Sequence, residues 1–196
     1  MICVGCGNPD SNELKAIQEL RIMFNTPITS AKDACALFPR TAEQINQRTK
    51  ATMAYVRQEL DTLVALDAAE RTFDNTARAF DIIGNNLSIT HDMLQGLHMV
   101  SPDKEIRDAA QQGEVTLSAF SVDAFINVSV YKAFKAYCDG AAHTEKLTDE
   151  QRYFLQETMR DFKKAGLELP EDQLEETKKL SKEVSELCIT FESNIN

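Results

Sequence analysis

Cys3 and Cys6, in Cys-Val-Gly-Cys, have the spacing of half a zinc site or of a redox pair. Neither reading gains support: no second C-x-x-C and no paired histidines follow, and no strand–helix pattern of thioredoxin type surrounds them. Incidental thiols are the simpler account. His91 and His98 lie seven positions apart on a helical stretch. They share a face, but two turns of separation (~10 Å) is too far for one metal without further ligands. No H-E-x-x-H occurs, since His91 is followed by Asp92, His98 by Met99 and His143 by Thr144. His143-Thr-Glu145 matches the H-x-E of zinc deaminases, yet no P-C-x-x-C follows. P-loop, G-x-G-x-x-G and G-x-S-x-G patterns are absent from the sequence. The acidic pairs Glu171-Asp172 and Glu175-Glu176 read as a solvated helix face with Lys178, Lys179 and Lys182 as i,i+3 and i,i+4 partners. By its residues alone, the chain carries no catalytic residue, no metal set and no assignable substrate-binding residue.

The elements that would position any chemistry are helices. The stretch Ser101 to Gly140 organises the rest: Ser101 is read as the N-cap, Pro102 as a first-turn residue, and Asp103 and Glu105 suit the positive end of the dipole. Apolar residues then recur at helical spacing through Ala110, Leu117, Phe120, Ala124, Tyr131 and Phe134, and Asp139-Gly140 gives the stop. One long helix there would measure roughly 57 Å, against a radius of gyration of about 16 Å for a globule of this length. It must therefore bend, at Gly113 or in the β-branched run Val122 to Val130, or belong to a larger body.

Capping boxes mark other starts. Asp10-Ser-Asn-Glu13 precedes a short helix ending before Pro27, and Thr41-Ala-Glu-Gln44 opens a helix to about Leu66 with Ile45, Thr49, Thr52, Val56, Leu60 and Leu63 on one face. Thr72 to about Gly96 continues helically, with a weakening at Gly84-Asn85-Asn86. Thr148-Asp-Glu-Gln151 starts a helix that stops at Gly166, and Pro170 starts the last. Its stripe of Leu174, Thr177, Leu180, Val184, Leu187, Phe191 and Ile195 is still running at the final residue without a C-cap, the pattern expected of a truncation.

The 196 residues, 43% hydrophobic and 27% charged, suffice for a real core. With seven Gly, five Pro and no alternating β-branched runs, the expected class is all-α. A net charge of −10 argues against nucleic acid or an anionic membrane as partner. No signal peptide and no apolar stretch of membrane-spanning length is present, so the default compartment is the cytosol. Five cysteines, an odd number, fit reduced thiols, with Cys138 and Cys188 as small core hydrophobes on helices.

Several segments in order, His98-Met-Val-Ser-Pro-Asp-Lys-Glu-Ile-Arg107, Leu117-Ser-Ala-Phe120 with Val122-Asp123 and Val130-Tyr131, Gly166-Leu-Glu-Leu-Pro170 and Leu187-Cys-Ile-Thr-Phe-Glu-Ser-Asn-Ile-Asn196, resemble the thimet oligopeptidase, neurolysin and saccharolysin family. The resemblance covers roughly Thr41 to Asn196. The first forty residues, with their short helix, match nothing in it. At Asn127 and Ser129 the family usually has Arg and Asp, so a local charge contact that the resemblance would imply there does not carry over to this chain. The resemblance implies a zinc metallo-oligopeptidase that cleaves short peptides in a deep channel, its zinc held by the two His of H-E-x-x-H and a downstream Glu. Residues 41–196 are then the N-terminal helical domain, one wall of that channel, with the catalytic half of the same polypeptide as partner and zinc expected only in the full-length enzyme. Such a portion hydrolyses nothing alone. Two other readings stay open: a stand-alone helical peptide-binding module, and a structural bundle or coiled coil, the last opposed by the breaks at Pro102, Gly140, Gly166 and Pro170.

Overall fold

Side-chain caps decide where this chain becomes helix. The computed structural model describes residues 11–195, which form α1 (Ser11–Asn25), α2 (Ala31–Leu37), α3 (Ala42–Ala65), α4 (Ala79–Val100), α5 (Lys104–Phe125), α6 (Val128–Asp139), α7 (Asp149–Lys164) and α8 (Glu171–Ile195). No strand occurs among the described residues, and the all-α expectation holds. The box at Thr148 is reciprocal: its hydroxyl accepts from the Gln151 N–H at 3.3 Å, and Gln151 Oε1 accepts from the Thr148 N–H at 2.9 Å. At Thr41 the hydroxyl caps Gln44 in the same way, but the Gln44 side chain reaches back to the Arg40 N–H instead. Gly166 adopts φ +88°, and the Leu167 N–H bonds the Phe162 carbonyl, so α7 ends in the left-handed turn that glycine permits. The start read at Asp10 lies outside the described residues, but α1 does end before Pro27.

The long central helix is two helices. The break falls at Ile126-Asn127, inside the β-branched run, and Asn127 Oδ1 caps α6 by accepting from the N–H groups of Ser129 (2.8 Å) and Val130 (3.3 Å). An Arg at 127 could not accept those bonds, so the departure from the family pattern supplies a helix start. The beginning of α5 is also corrected. Ser101 closes α4, and Asp103 is the cap, its carboxylate accepting from the Glu105 N–H at 2.8 Å, so Pro102 lies before the helix. A further departure concerns Gly84-Asn85-Asn86, where α4 runs on unbroken because Asn86 is buried and donates to the Tyr55 hydroxyl at 2.8 Å. The irregularity sits upstream, in a π-helical turn (Phe73–Arg78) that Thr72 and Asn75 cap reciprocally.

Helix α5 packs against α3, α4 and α8. It passes so close to α3 and α4 that a Cβ on Gly113 would stand 2.8 Å from Leu94 Cδ1 and 2.9 Å from Thr49 Oγ1, both on buried side chains. Gly113 is therefore a packing residue and no bend. Gly96 on α4 has nothing within 4 Å of such a Cβ. The same substitution thus has opposite expected signs. Gly96→Ala should stabilise by about 0.5–1 kcal/mol through helix propensity. Gly113→Ala should destabilise by about 1–2 kcal/mol, because overpacking of about 1–3 kcal/mol outweighs that gain. Urea unfolding of the two variants reads both signs.

Polar pairs fix the register of α3 on α4: Thr52 Oγ1 and Thr90 Oγ1 are 3.1 Å apart, both buried, beside the Asn86–Tyr55 bond. All six α3 residues read as one face, Ile45 to Leu63, are buried. An aromatic cluster closes the other end, with Phe80 against Phe125 (5.5 Å), Phe134 (5.8 Å) and Phe162 (5.3 Å), mostly edge-on or tilted as ring quadrupoles favour. Helix α1 lays Ile17 and Leu20 into the core, with Phe24 5.4 Å from Tyr55.

Candidate functional site

The residues with chemical potential do not converge. His91 Nε2 is 3.1 Å from Ser118 Oγ on α5. His98 Nδ1 lies 3.1 Å from Glu114 Oε2, whose side chain is only 1% exposed, so the pair ties the end of α4 to α5. His143 is exposed in a short 3₁₀ turn. Glu145 serves the fold. Its carboxylate accepts from the Phe73 N–H at 3.0 Å and the Tyr137 hydroxyl at 2.8 Å, clasping the π-helical turn to the end of α6. Burial, reinforced by the Glu145 carboxylate, raises the Tyr137 pKa well above its ordinary value.

Among the described residues no three of His, Cys, Asp and Glu come together as a metal set. His91 and His98 each face a partner on α5, one of them a buried carboxylate, so they do not form a zinc pair. These side chains do not fit the metal that the sequence resemblance implies, and no chemistry through zinc is assigned to them. Cys3 and Cys6 lie outside the described residues. Cys138 is half-buried, as a small core residue should be, whereas Cys188 is exposed and is not a core residue. Burial and the neighbouring Asp139 push the Cys138 thiol up to about 11. At pH 8, iodoacetamide should therefore alkylate Cys138 on the order of 100-fold more slowly than Cys188, since only the thiolate reacts. Peptide-resolved mass spectrometry reads each site separately, and equal rates would contradict this placement.

Two surfaces remain. The first is the outer face of α8, which lies antiparallel to α5: Lys182 Nζ meets Asp123 at 2.6 Å near one end, and Ser193 stands beside Arg107 and Gln111 near the other. The sequence reading pairs Lys182 along its own helix, as Lys178 does pair with Glu175 at 2.9 Å, but Lys182 pairs across helices. Leu174 and Ile189 anchor α8 to the body. Leu180, Val184, Leu187 and Phe191 point outward, 54–68% exposed, spaced 4, 3 and 4 residues apart along one seam. The second surface is a cleft of about 640 Å³ between α4, the α5–α6 break and α7. Phe80, Phe125, Phe154 and Phe162 line its apolar part, and Asp81 and Asp161 stand at its polar edge.

Comparison with known proteins finds relatives of this helical body. The chain is 28% identical over 160 residues to the thimet-like oligopeptidase of Dictyostelium discoideum, which covers 81% of this chain and 24% of that protein. It is 32% identical over 98 residues to the probable thimet oligopeptidase of Arabidopsis thaliana, covering 50% of this chain and 13% of that protein. With saccharolysin of Saccharomyces cerevisiae the figures are 26% over 122 residues, 62% and 17%. No protein-family model matches the chain. The relatives are oligopeptidases, so the class is that of a helical body related to peptidases. Over a partial stretch the chain is similar to members of the thimet oligopeptidase and saccharolysin family, in line with the sequence resemblance. It spans about a quarter or less of the length of these relatives.

Proposed function

We propose that this chain is the helical, channel-wall portion of a zinc metallo-oligopeptidase that hydrolyses short peptides, with the catalytic residues supplied by polypeptide outside it. The observation that carries the reading is the match over 81% of the chain to an oligopeptidase about four times the matched length, together with the absence of H-E-x-x-H from the sequence. One further feature supports it: the seam on α8 offers an apolar face for a neighbouring body. On this reading the wall restricts entry to small unfolded peptides and contributes binding surface but no reacting group.

A second reading, a stand-alone helical peptide-binding module without catalysis, draws on the closed core: Ile45, Leu94, Leu117 and Phe134 are fully buried with no further polypeptide required. A quenched-fluorescence peptide assay separates the two when the chain is mixed with a separately expressed catalytic half from a relative such as saccharolysin. The channel-wall reading expects no hydrolysis by the chain alone, and a rise in peptide cleavage when it complements a half deprived of its own helical portion. Binding of peptide with no complementation in that mixture would favour the module.

A further inference from the structure

The cleft between α4, the α5–α6 break and α7 has the build of a side-chain pocket. Its volume, about 640 Å³, lies in the range of small-ligand clefts, roughly 300–1,000 Å³. Three of its four phenylalanines are only half-buried, so ring faces and edges remain open to an occupant, while Phe162 is fully packed beneath them. Gly84 keeps the α4 wall low: a Cβ placed there would meet nothing nearer than the Phe125 ring at 3.9 Å, leaving the space above it open. This glycine sits mid-helix, where it costs about 0.5–1 kcal/mol relative to alanine, so the open space comes at the expense of helix stability.

The charge around the pocket has one sign. Asp81 and Asp161 stand at its edge, and among the described residues no Lys, Arg or His lines it. Asp161 is paired with Lys164 on its own helix at 3.2 Å, whereas Asp81 is exposed and makes no hydrogen bond or ion pair among the described residues. Aromatic ring faces attract cations as well, which adds to the same preference. An apolar floor beside an unpaired carboxylate selects a ligand with a bulky apolar group and a positive charge a few bonds away.

We propose that this cleft binds a short peptide through an aromatic or large aliphatic side chain, with an adjacent Arg, Lys or amino terminus held by Asp81. The assignment rests on the peptide-handling reading above and names a subsite for it on the non-catalytic helices. Serine and threonine hydroxyls at the edge, Ser88 and Thr158, are within the same cleft and can bond the peptide backbone.

The test uses the 196-residue chain and three capped dipeptides, Ac-Phe-Arg-NH2, Ac-Phe-Glu-NH2 and Ac-Ala-Arg-NH2, followed by isotope-edited NMR titration. Ac-Phe-Arg-NH2 should bind at least about tenfold more tightly than either of the others, the equivalent of ~1.4 kcal/mol, and should shift amides of Gly84, Phe125 and Thr158. Asp81→Lys, a change at an exposed helix position, should reverse the preference toward Ac-Phe-Glu-NH2. Gly84→Leu should abolish binding by filling the cleft; if it fails to fold, the Asp81→Lys reversal still decides. Equal binding of the Arg and Glu peptides, shifts confined to the α8 seam, or no shifts with any peptide would each overturn the proposal. Because the readout is binding by this chain, its failure leaves the complementation result standing, and failed complementation leaves this result standing.

Discussion

Replacing Arg71 by Met should lower the melting temperature by about 6–12 °C, a large effect for a single side chain outside the apolar core. Arg71 is 5% exposed and lies just after α3. Its guanidinium donates to the carbonyls of Leu63 (3.1 Å), Val64 (3.2 Å) and Leu66 (2.8 Å), so one side chain satisfies groups that the end of a helix leaves open. Burial lowers its pKa from the ordinary guanidinium value while Asp67 opposes the shift, and the charge favours the negative end of the α3 dipole. Hydrogen bonds from a charged donor are worth about 1.5–3 kcal/mol each, and their losses overlap because the three carbonyls share one donor group. A net loss of about 3 kcal/mol is a large part of the 5–15 kcal/mol that holds a typical domain. Arg71→Lys should recover only part of it, since an ammonium cannot span three carbonyls as the planar fork does. Calorimetry of the two variants checks the ordering; a fall below about 2 °C for Arg71→Met would show that water replaces the guanidinium.

The second large effect concerns α8. Four outward residues of one seam, Leu180, Val184, Leu187 and Phe191, are 54–68% exposed, so each forfeits about 1–2 kcal/mol of the gain that full burial would bring. The isolated chain should therefore self-associate at micromolar concentration, and the joint change of these four to Ser, Thr, Gln and Gln should make it monomeric with little change in melting temperature, because exposed positions bury little in the folded chain. Within the chain, α5 is packed between α3, α4 and α8, while α8 is fixed chiefly through Leu174 and Ile189. Amides of α8 should then exchange about 100-fold faster than those of α5, a difference of ~2.7 kcal/mol in opening free energy. Sedimentation and hydrogen-exchange mass spectrometry supply both readings. A monomeric wild-type chain with α8 as protected as α5 would mean that the seam needs no cover.

The helices that the amino-acid pattern located are those whose signals are local. Thr41 and Thr148 announce α3 and α7 within four residues, and Gly166 ends α7 because the chain there needs φ > 0. The seam on α8 was visible as an unfinished stripe, because spacing alone sets which side chains share a face. Features made by distant segments were not legible. Gly113 reads as a bend in a helix until Leu94 and Thr49 are brought against it, and Arg71 carries no signal in the sequence until the end of α3 turns its carbonyls toward it. The break at Asn127 lay between these cases: Asn is a good cap, but the apolar period of α5 continues into α6 in phase, which hides the interruption. Helix α2 had no apolar stripe to betray it, since it buries no residue and rests on the Ser30 cap. Phe80, Phe154 and Phe162 fall within the helical stretches that the sequence marks at Thr72 to about Gly96 and Thr148 to Gly166, yet their convergence on one cleft with Phe125 is set by how α4, α5 and α7 meet.

The central claim, that this helical body works as the wall of a larger peptidase, is tested most directly by finding the polypeptide that carries it in the cell. Extracts separated by size and analysed by tryptic mass spectrometry should show the α5 peptide that ends at Lys132 on a polypeptide well above 22 kDa, together with a peptide containing H-E-x-x-H from the same band. Recovery of the α5 peptide only at 22 kDa, with no such motif accompanying it, would contradict the claim.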